Sequence, residues 1–179
     1  MPVIVISGVP GAGSSTIAKL LAKKLGLKHF SLGDASKEFG QGKETEKAIS
    51  YLQSESGRSR SFHEKMDEHQ REIAKSGNVV IDAKLGIRML KGMTDFSVWL
   101  ECPVQTRAER VAKRDSVPVD VALKTIKTKE EIEKKTWKDI YGFDYFDQEG
   151  EAKLVIETGN KTPEEIVNII IEGMKRKGS

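Results

Sequence analysis

The 179-residue sequence has few of the features that would take it outside the ordinary globular proteins. Its single cysteine, Cys102, can form neither an internal disulfide nor a cysteine-rich zinc site. Its hydrophobic runs, such as residues 3–6, are far shorter than the roughly 18 residues that cross a bilayer. The first residues have neither the basic start nor the long apolar segment of a secretory signal. We therefore expect a cytoplasmic protein with no membrane partner.

Charge and aromatic content argue against a nucleic-acid-binding protein. The sequence holds 30 Lys and Arg against 27 Asp and Glu, so its formal net charge is only +3. Aromatic residues make up 6% of the chain, which is too few for a stacking surface along single-stranded nucleic acid. Because the positive excess is small and scattered, we expect no nucleic-acid partner.

Short apolar runs alternate with helical patterns along the chain. Residues 3–7 form a continuous run rich in β-branched residues, as in a strand that is buried on both faces. A helix is predicted from about Ser14, with Gly26 as its stop. Further strands are predicted at residues 27–32, 78–82, 96–100 and 154–156. This alternation indicates an α/β fold around a parallel sheet.

The last helix has a clear start signal. Thr162 is placed as its N-cap, Pro163 as its first residue and Glu165 as the partner of the cap. Apolar residues follow at helical spacing, at Ile166, Ile169, Ile170 and Met174. This helix is expected to pack on the sheet.

Two long stretches do not fit a minimal core. One runs from Asp34 to Ser76, between the second and third predicted strands, and is rich in polar residues. The other runs from Thr106 to Tyr141, after the fourth, and is dense in Arg and Lys. Both have helical patterns, and we expect them to form helical flaps beside the core.

A glycine-rich segment joins the first strand to the first helix. Gly8 and Gly13 have the spacing found in G-x-x-x-x-G-K-[ST], whose backbone amides hold phosphate at a helix N-terminus. Glycine adopts backbone conformations closed to other residues and lets a phosphate approach the main chain. The predicted phosphate-binding residues are Gly8, Val9, Pro10, Gly11, Ala12, Gly13, Ser14, Ser15 and Thr16.

The segment departs from that pattern at Ser14, which stands where a lysine normally reaches the outer phosphates. Two other interpretations stay open: a tight glycine turn with no ligand, and a loop that binds a nucleotide without catalysis. The β-branched strand, the glycine spacing, the hydroxyl residue and the amphipathic helix together favour a phosphate-binding loop.

Further segments follow this loop in a characteristic order. They read SLGD at 31–34, GNVVIDAKL at 77–85, RAERVAKR at 107–114, YGFD at 141–144 and LVIETG at 154–159. With the loop, they resemble the nucleoside monophosphate kinases, and among these the archaeal-type cytidylate kinases. The resemblance covers nearly the whole chain, and in that branch a small hydroxyl residue commonly replaces the loop lysine.

The resemblance implies a P-loop fold of three α/β/α layers, with a five-stranded parallel sheet in the order 2-3-1-4-5. It implies one nucleoside monophosphate kinase domain, 1–179, with its core at 1–33, 77–105 and 142–179. Residues of about 34–76 would bind the acceptor, and residues of about 106–141 would form a lid.

The implied reaction converts CMP or dCMP and ATP to the nucleoside diphosphate and ADP, with Mg²⁺ as cofactor. One alternative keeps the fold and changes the acceptor to AMP, UMP or a small metabolite. Another is a nucleotide-binding regulatory module without turnover. A monomer is expected by analogy with the family.

Ser15 and Asp82 are the predicted metal-binding residues. Ser15 occupies the loop position whose hydroxyl ligates Mg²⁺. Asp82 ends a hydrophobic strand beside the loop, where its carboxylate would accept hydrogen bonds from metal-bound water; an ordinary strand-end carboxylate is the other interpretation. Asp34 is a weaker candidate, because its position also suits a helix N-cap.

Phosphoryl transfer depends on positioning and on charge neutralisation, and here the loop supplies no lysine. Arg107, Arg110 and Arg114 recur at helical spacing and therefore share one face. We predict that Arg110, Arg114 and Lys84 are the catalytic cations. Lysines of the next helix are further candidates, although the neighbouring glutamates 130, 131 and 133 also suit a solvated face: Lys127, Lys129, Lys134 and Lys135.

The predicted acceptor-binding residues are Ser31, Asp34, Lys37 and Lys84. Lys37 and Lys84 stand where the family usually has arginine, so the charge is kept while the planar fork is lost. Weaker candidates for the acceptor phosphate are Arg58, Arg60 and Arg88. Residues 62–73 would cover this pocket, and His63 and His69 are expected to be surface residues.

Overall fold

The structure, a computed structural model, describes residues 1–37 and 44–177, without the side chains of 35–37, 44–46, 48, 56, 57 and 177. Within these ranges the strands are β1 (Val3–Gly8), β2 (Lys28–Ser31), β3 (Val79–Asp82), β4 (Phe96–Glu101) and β5 (Leu154–Glu157). The helices are α1 (Ser14–Leu25), α2 (Leu32–Lys37), α3 (Glu44–Gln53), α4 (Glu55–Arg58), α5 (Arg60–Ser76), α6 (Gly86–Met89), α7 (Val104–Asp115), α8 (Val119–Tyr141) and α9 (Pro163–Lys177), and a 3-10 helix spans Tyr145–Glu151.

The five strands form one parallel sheet in the order β2-β3-β1-β4-β5, which confirms the predicted topology. Every residue of the central strand β1 is buried. Because successive side chains point to opposite faces of a strand, both faces of the sheet are covered. This explains why β1 and β3 read as continuous apolar runs rather than as alternating ones.

Local sequence signals account for two helix boundaries that the structure confirms. Helix α1 stops at Gly26, which has a φ of 67°. Helix α9 opens with the predicted capping box: the Thr162 amide donates to Glu165 Oε2 at 2.7 Å, and the Glu165 amide donates to Thr162 Oγ1 at 3.3 Å. The buried stripe of α9 includes Val167 as well as Ile166 and Ile170, and α9 packs beside α1.

The described parts of the two stretches predicted beside the core are helical, but they are not separate from it: the main hydrophobic core includes their residues Tyr51, Leu52, Ala74, Trp137 and Ile140. Helices α2 to α5 lie between β2 and β3, and helices α7 and α8 follow β4. Helices α7 and α8 pack against each other through a small apolar cluster that is separate from the main core: Ala108, Val111, Ala112, Ala122 and Ile126. Helix α8 also contacts α3, so the two helical regions pack against each other. Among the described helices, none has the length and apolar composition required to cross a membrane.

Candidate active site

The glycine-rich segment forms a tight turn between β1 and α1. Gly8 lies so close to β4 that a Cβ atom would sit 2.5 Å from the Leu100 carbonyl oxygen. Gly13 is the N-cap of α1, with a φ of 99° that other residues rarely adopt, and no side chain caps this helix. The amides of Ser14, Ser15 and Thr16 therefore open the helix without intrahelical acceptors. Such an N-terminus attracts an anion.

This turn forms the floor of a cavity of about 510 Å³, a size typical of small-molecule sites. At one end the cavity reaches Lys161 and Pro163 at the start of α9, and at the other end it reaches Tyr51 and His63. Its lining includes five basic residues and two carboxylates: Lys84, Arg110, Arg114, Lys129, Lys161, Asp82 and Glu133. The cavity thus combines backbone amides and a positive wall, which suits a phosphorylated ligand.

The predicted metal-binding residues lie together at the carboxyl ends of the strands. Ser15 Oγ donates to Asp82 Oδ2 at 2.5 Å, and Ser31 Oγ donates to the same oxygen at 3.4 Å. Ser31 is the register partner of Asp82 across β2 and β3, which explains why the two side chains meet.

This oxygen-only set of donors fits Mg²⁺, which prefers oxygen ligands and keeps several waters. Among the described residues there is no group of three or more His, Cys, Asp or Glu side chains that could hold a metal ion. Magnesium sites of phosphoryl-transfer enzymes are of this open kind, since substrate phosphates and water supply the remaining ligands. Asp34, the weaker candidate, is exposed, ion-pairs with Lys19 at 3.6 Å and does not line the cavity.

Lys84 reaches back from the end of β3 into the glycine turn. Its Nζ donates to the Gly8 carbonyl oxygen at 2.8 Å and lies 3.8 Å from Glu133 Oε2. The ammonium also lies 5.6 Å from the centre of the Tyr145 ring. Lys84 therefore places a positive charge beside the turn whose own lysine is replaced by Ser14.

The three arginines of α7 differ in their surroundings. Arg107 is buried, donates to the Pro10 carbonyl oxygen at 3.0 Å and ion-pairs with Glu130 at 2.5 Å. It therefore ties α7 and α8 to the glycine turn instead of facing the cavity.

Arg110 and Arg114, for which phosphate contacts are predicted, both line the cavity. Arg110 donates to the carbonyl oxygens of Ala12 and Thr158 at 3.3 and 2.6 Å, so its guanidinium joins the turn to the segment after β5. Arg114 is exposed and donates to the carboxylate of Asp115 at 2.7 and 3.0 Å. Of the lysines on α8, Lys129 lines the cavity, Lys134 lies over the Phe146 ring, and Lys127 and Lys135 are exposed outside it.

At the end of the cavity that Tyr51 and His63 line, the structure corrects the expectation that His63 is a surface residue. His63 is not a surface residue: it is only 6% exposed, and its ring packs edge-on against Trp137 with 5.0 Å between the ring centres. Tyr51 lies nearby, and burial raises its pKa to about 12. His69, by contrast, is exposed as expected. The wall is therefore aromatic, and Trp137 Nε1 finds no acceptor among the described residues.

The remaining acceptor candidates are scattered. Ser31 contacts Asp82 and also caps α2 by accepting from the Asp34 amide at 3.2 Å, so Ser31 takes the N-cap place considered for Asp34. The side chain of Lys37 lies outside the described residues. Arg88 contacts Glu151 and lies over the Phe143 ring, away from the cavity. Arg58 and Arg60 are exposed and also lie outside the cavity.

Behind the aromatic wall, a buried polar pair joins α5 to α8. Asp67 accepts a hydrogen bond from Tyr141 at 2.5 Å and another from Gln70 at 2.8 Å. Burial raises the pKa of the Asp67 carboxyl, although these hydrogen bonds oppose the shift. Burial and the nearby Asp67 charge raise the pKa of the Tyr141 hydroxyl as well. The pair fixes the distance between the two helices that flank the cavity.

Glu133 is a site residue that the sequence predictions missed. It is buried in the cavity wall between Lys84 and Lys129, at 3.8 and 3.7 Å from their Nζ atoms. Its position offers one usable signal, because it lies seven residues after Ile126 and four before Trp137, on the buried stripe of α8.

The sequence and the fold can now be compared with known proteins. A family model described as the cytidylate kinase-like family matches residues 3–160 of the chain. A cytidylate kinase of Methanocaldococcus jannaschii is 36% identical over 182 residues, which cover 97% of this chain and 99% of that protein. A cytidylate kinase of Sulfurisphaera tokodaii is 36% identical over 171 residues, which cover 94% of this chain and 92% of that protein.

Solved structures match the fold at lower sequence identity. A shikimate kinase of Bacteroides thetaiotaomicron superposes with a TM-score of 0.65 at 19% identity, over 97% of this chain and 98% of that one. A shikimate kinase of Aquifex aeolicus gives 0.59 at 20% identity, over 98% of each chain. These similarities concern the fold alone, and they agree with the predicted P-loop architecture. The family model and the two archaeal relatives lead to one conclusion: the chain belongs to the cytidylate kinase-like family, within the nucleoside monophosphate kinases.

Proposed function

We propose that this protein transfers the γ-phosphoryl group of ATP to CMP or dCMP, with Mg²⁺ as cofactor. One observation carries the phosphoryl-transfer part of this proposal: the uncapped N-terminus of α1 opens into the same cavity as Lys84, Asp82 and Ser15. The choice of a cytidine nucleotide is supported by the archaeal relatives, which are named cytidylate kinases.

The donor would bind along the glycine turn. The amides of Ser14 to Thr16 donate to the phosphates, since charge-assisted hydrogen bonds from a helix N-terminus hold such groups well. Ser15 and Asp82 would hold Mg²⁺, which when bound neutralises phosphate charge and orients the γ-phosphate. Lys161 stands at the α9 end of the cavity, where the nucleoside part of the donor would extend, and Arg110 lies beside the turn itself.

The acceptor would bind at the opposite end, between the turn and the aromatic wall. Tyr51, His63 and Trp137 offer ring faces and edges to a base, while Lys84 lies between this wall and the turn. In this proposal α2 to α5 belong to the acceptor side of the cavity, and α7 and α8 form the lid.

In this reaction no covalent bond to the protein is formed. An oxygen of the acceptor phosphate forms a bond to the γ-phosphorus, and the bond from that phosphorus to the β–γ bridging oxygen breaks, releasing ADP. A phosphate monoester is largely ionised at neutral pH, so its oxygen needs no general base. The cavity accordingly needs cations, and Lys84, Arg110 and Arg114 are the side chains proposed to stabilise the transferred group.

An acceptor panel tests this function. ADP formation is measured with MgATP and one of CMP, dCMP, UMP or AMP, and kcat/KM is compared across the four acceptors. The proposal expects CMP or dCMP to exceed AMP and UMP by at least about tenfold, the factor that corresponds to 1.4 kcal/mol. A higher kcat/KM with AMP or UMP would reject the cytidine assignment, and MgATP binding without ADP formation for any acceptor would favour a regulatory module.

A further inference from the structure

Glu133 is a buried carboxylate in the wall of a cavity that is otherwise suited to anions. It is 4% exposed, and it lies on α8 between Ile126 and Trp137, both of which also line the cavity. A carboxylate in a phosphate-binding cavity repels the ligand, so its presence there needs a physical reason.

The contacts of Glu133 are loose for a buried charge. Its two oxygens lie 3.8 Å from Lys84 Nζ and 3.7 Å from Lys129 Nζ, which is beyond hydrogen-bonding distance. Within the part of the chain that the structure describes, no donor meets Oε2 with hydrogen-bond geometry, although the Tyr145 hydroxyl is near enough that burial and the Glu133 charge both raise its pKa. Burying a carboxylate with so few hydrogen bonds costs free energy, and two distant ammonium groups offset only part of that cost.

A second ion pair of α8 shows what a permanent contact looks like. Glu130, three residues earlier, lies 2.5 Å from Arg107, whose guanidinium also donates to the Pro10 carbonyl oxygen. That pair has short hydrogen bonds and connects three segments of the backbone. The Glu133 contacts have neither property.

The two lysines beside Glu133 are placed to hold a phosphate. Lys84 donates to Gly8, the first residue of the glycine turn, and Lys129 lines the same cavity. A phosphate group carries more charge than a carboxylate and more acceptor oxygens, so it satisfies two ammonium groups better.

We propose that Glu133 is a displaceable counter-ion: it pairs with Lys84 and Lys129 until the phosphates of a bound nucleotide take over both lysines. Glu133 is thus a positioning residue, which keeps the two ammonium groups together at the turn and lowers the affinity for nucleotide in exchange. This inference rests on the proposed function, because it requires a polyphosphate at the glycine turn.

The matched pair Glu133→Gln and Glu131→Gln tests the proposal. Both substitutions remove one negative charge from α8, but Glu131 is exposed and lies on the opposite side of the helix. The dissociation constants of MgATP and of adenosine are measured by calorimetry for wild type and both variants. Adenosine has no phosphate and therefore does not compete with Glu133.

Glu133→Gln is expected to bind MgATP about fivefold more tightly than wild type, which corresponds to roughly 1 kcal/mol for a released ion pair. Glu131→Gln is expected to stay within about twofold of wild type, because long-range surface charge is screened by salt. Adenosine binding should not change in either variant. A purely structural role for Glu133 predicts the opposite sign, since loss of a structural contact weakens binding.

Two further variants keep the result interpretable. Glu133→Asp shortens the side chain by one methylene and should give an intermediate gain in MgATP affinity, even if Glu133→Gln fails to fold. In a Lys129→Met background the gain from Glu133→Gln should shrink, since one of the two released ammonium groups is missing. Unchanged or weaker MgATP binding in folded Glu133→Gln or Glu133→Asp overturns the inference. If wild type itself binds no MgATP, the proposed function fails instead.

Discussion

The sheet that carries the glycine turn and the helices that wall the cavity bury different kinds of side chain. Strand β1 and the neighbouring strands fill their interior mainly with Val, Ile and Leu, which need no partners, and their few buried polar groups include Ser7, Asp82 and the indole of Trp99. Helix α5 instead buries His63, Asp67 and Gln70, and helix α8 buries Glu133. A buried polar group must find a partner or it destabilises the fold.

The difference between the two regions separates a fixed part of the site from an adjustable one. The turn is held by close backbone packing, such as that of Gly8 against Leu100. The wall is held by polar contacts, some complete, as at Asp67, and some incomplete, as at Glu133 Oε2 and Trp137 Nε1. We expect changes in the sheet to act on catalysis and changes in the wall to act on helix packing and ligand affinity.

The largest effect is expected at the sheet. Asp82→Asn keeps the size of the side chain but removes the charge that accepts from Ser15. We expect kcat/KM to fall by roughly 10³, about 4 kcal/mol, with little change in thermal unfolding. Steady-state kinetics over a range of Mg²⁺ concentrations measures the effect. Asp139→Asn on the exposed side of α8 is the control, and equal kinetics in both variants would remove Asp82 from the site.

A stability effect is expected at the boundary between the two regions. Arg107→Met leaves the Glu130 carboxylate half-buried without its partner and should lower the free energy of unfolding by about 3 kcal/mol. Urea denaturation measures this loss, with Lys113→Met on the exposed side of α7 as the control. Adding Glu130→Gln to Arg107→Met should recover part of the loss. No recovery would mean that the unpaired charge is not its cause.

A smaller effect on turnover is expected from the lysine that links the sheet to the wall. Lys84→Met removes the ammonium that donates to Gly8 and should lower kcat/KM by about 10² through lost charge stabilisation. Lys84→Arg keeps the charge and should retain more activity than Lys84→Met. Lys138→Met, which is exposed on α8, is the control. If Lys84→Met has the activity of that control, Lys84 does not supply the charge of the missing loop lysine.

The glycine turn allows a matched pair of substitutions. Gly13→Ala forces a side chain into a backbone with a φ of 99° and should cost about 1–2 kcal/mol of stability and weaken MgATP binding. Gly150→Ala also adds a methyl group in open space, but at a glycine without positive φ, and should change neither quantity by much. Thermal unfolding measures the stability of the two variants, and calorimetry measures their MgATP binding. Equal behaviour would show that the turn does not depend on its left-handed backbone.

The smallest expected effect is the pH dependence of the contribution that Asp67 makes to the free energy of unfolding. Because burial raises the pKa of Asp67 above its value in the unfolded chain, its stabilising contribution is present at low pH and is lost as pH rises through the folded-state pKa. The difference in unfolding free energy between wild type and Asp67→Asn should therefore decrease as pH rises from about 4 to 7. Urea denaturation at several pH values tests the sign. An increase with pH would contradict a raised pKa.

The sequence predicts the structure well where a buried face is apolar or where a glycine or a capping residue marks the end of a helix. Strand β1, the stop of α1 at Gly26 and the capping box of α9 all follow from local rules and agree with the structure. The contact between Ser15 and Asp82 can be predicted in the same way. Asp82 ends β3 and Ser15 lies just after the turn that follows β1, so both are at the carboxyl edge of the parallel sheet.

The wall is harder to predict because its buried stripes are polar. His63, Asp67, Gln70 and Ala74 follow one another at helical spacing, yet Asp and Gln are residue types usually found on surfaces, and His is intermediate. Glu133 is hidden for the same reason among the charged residues of α8. Both Ser31 and Asp34 are residue types that cap helices, and only the local backbone geometry shows that Ser31 caps α2.

The central claim is that the glycine turn binds the phosphates of a nucleotide although Ser14 replaces the usual lysine. Calorimetric titration of wild type with MgATP, and separately with adenosine, tests it directly. The account predicts a dissociation constant for MgATP of roughly 1 μM to 1 mM, the range usual for enzyme substrates, and far weaker binding of adenosine. Equal affinity for the two ligands, or no heat with MgATP, would contradict the account.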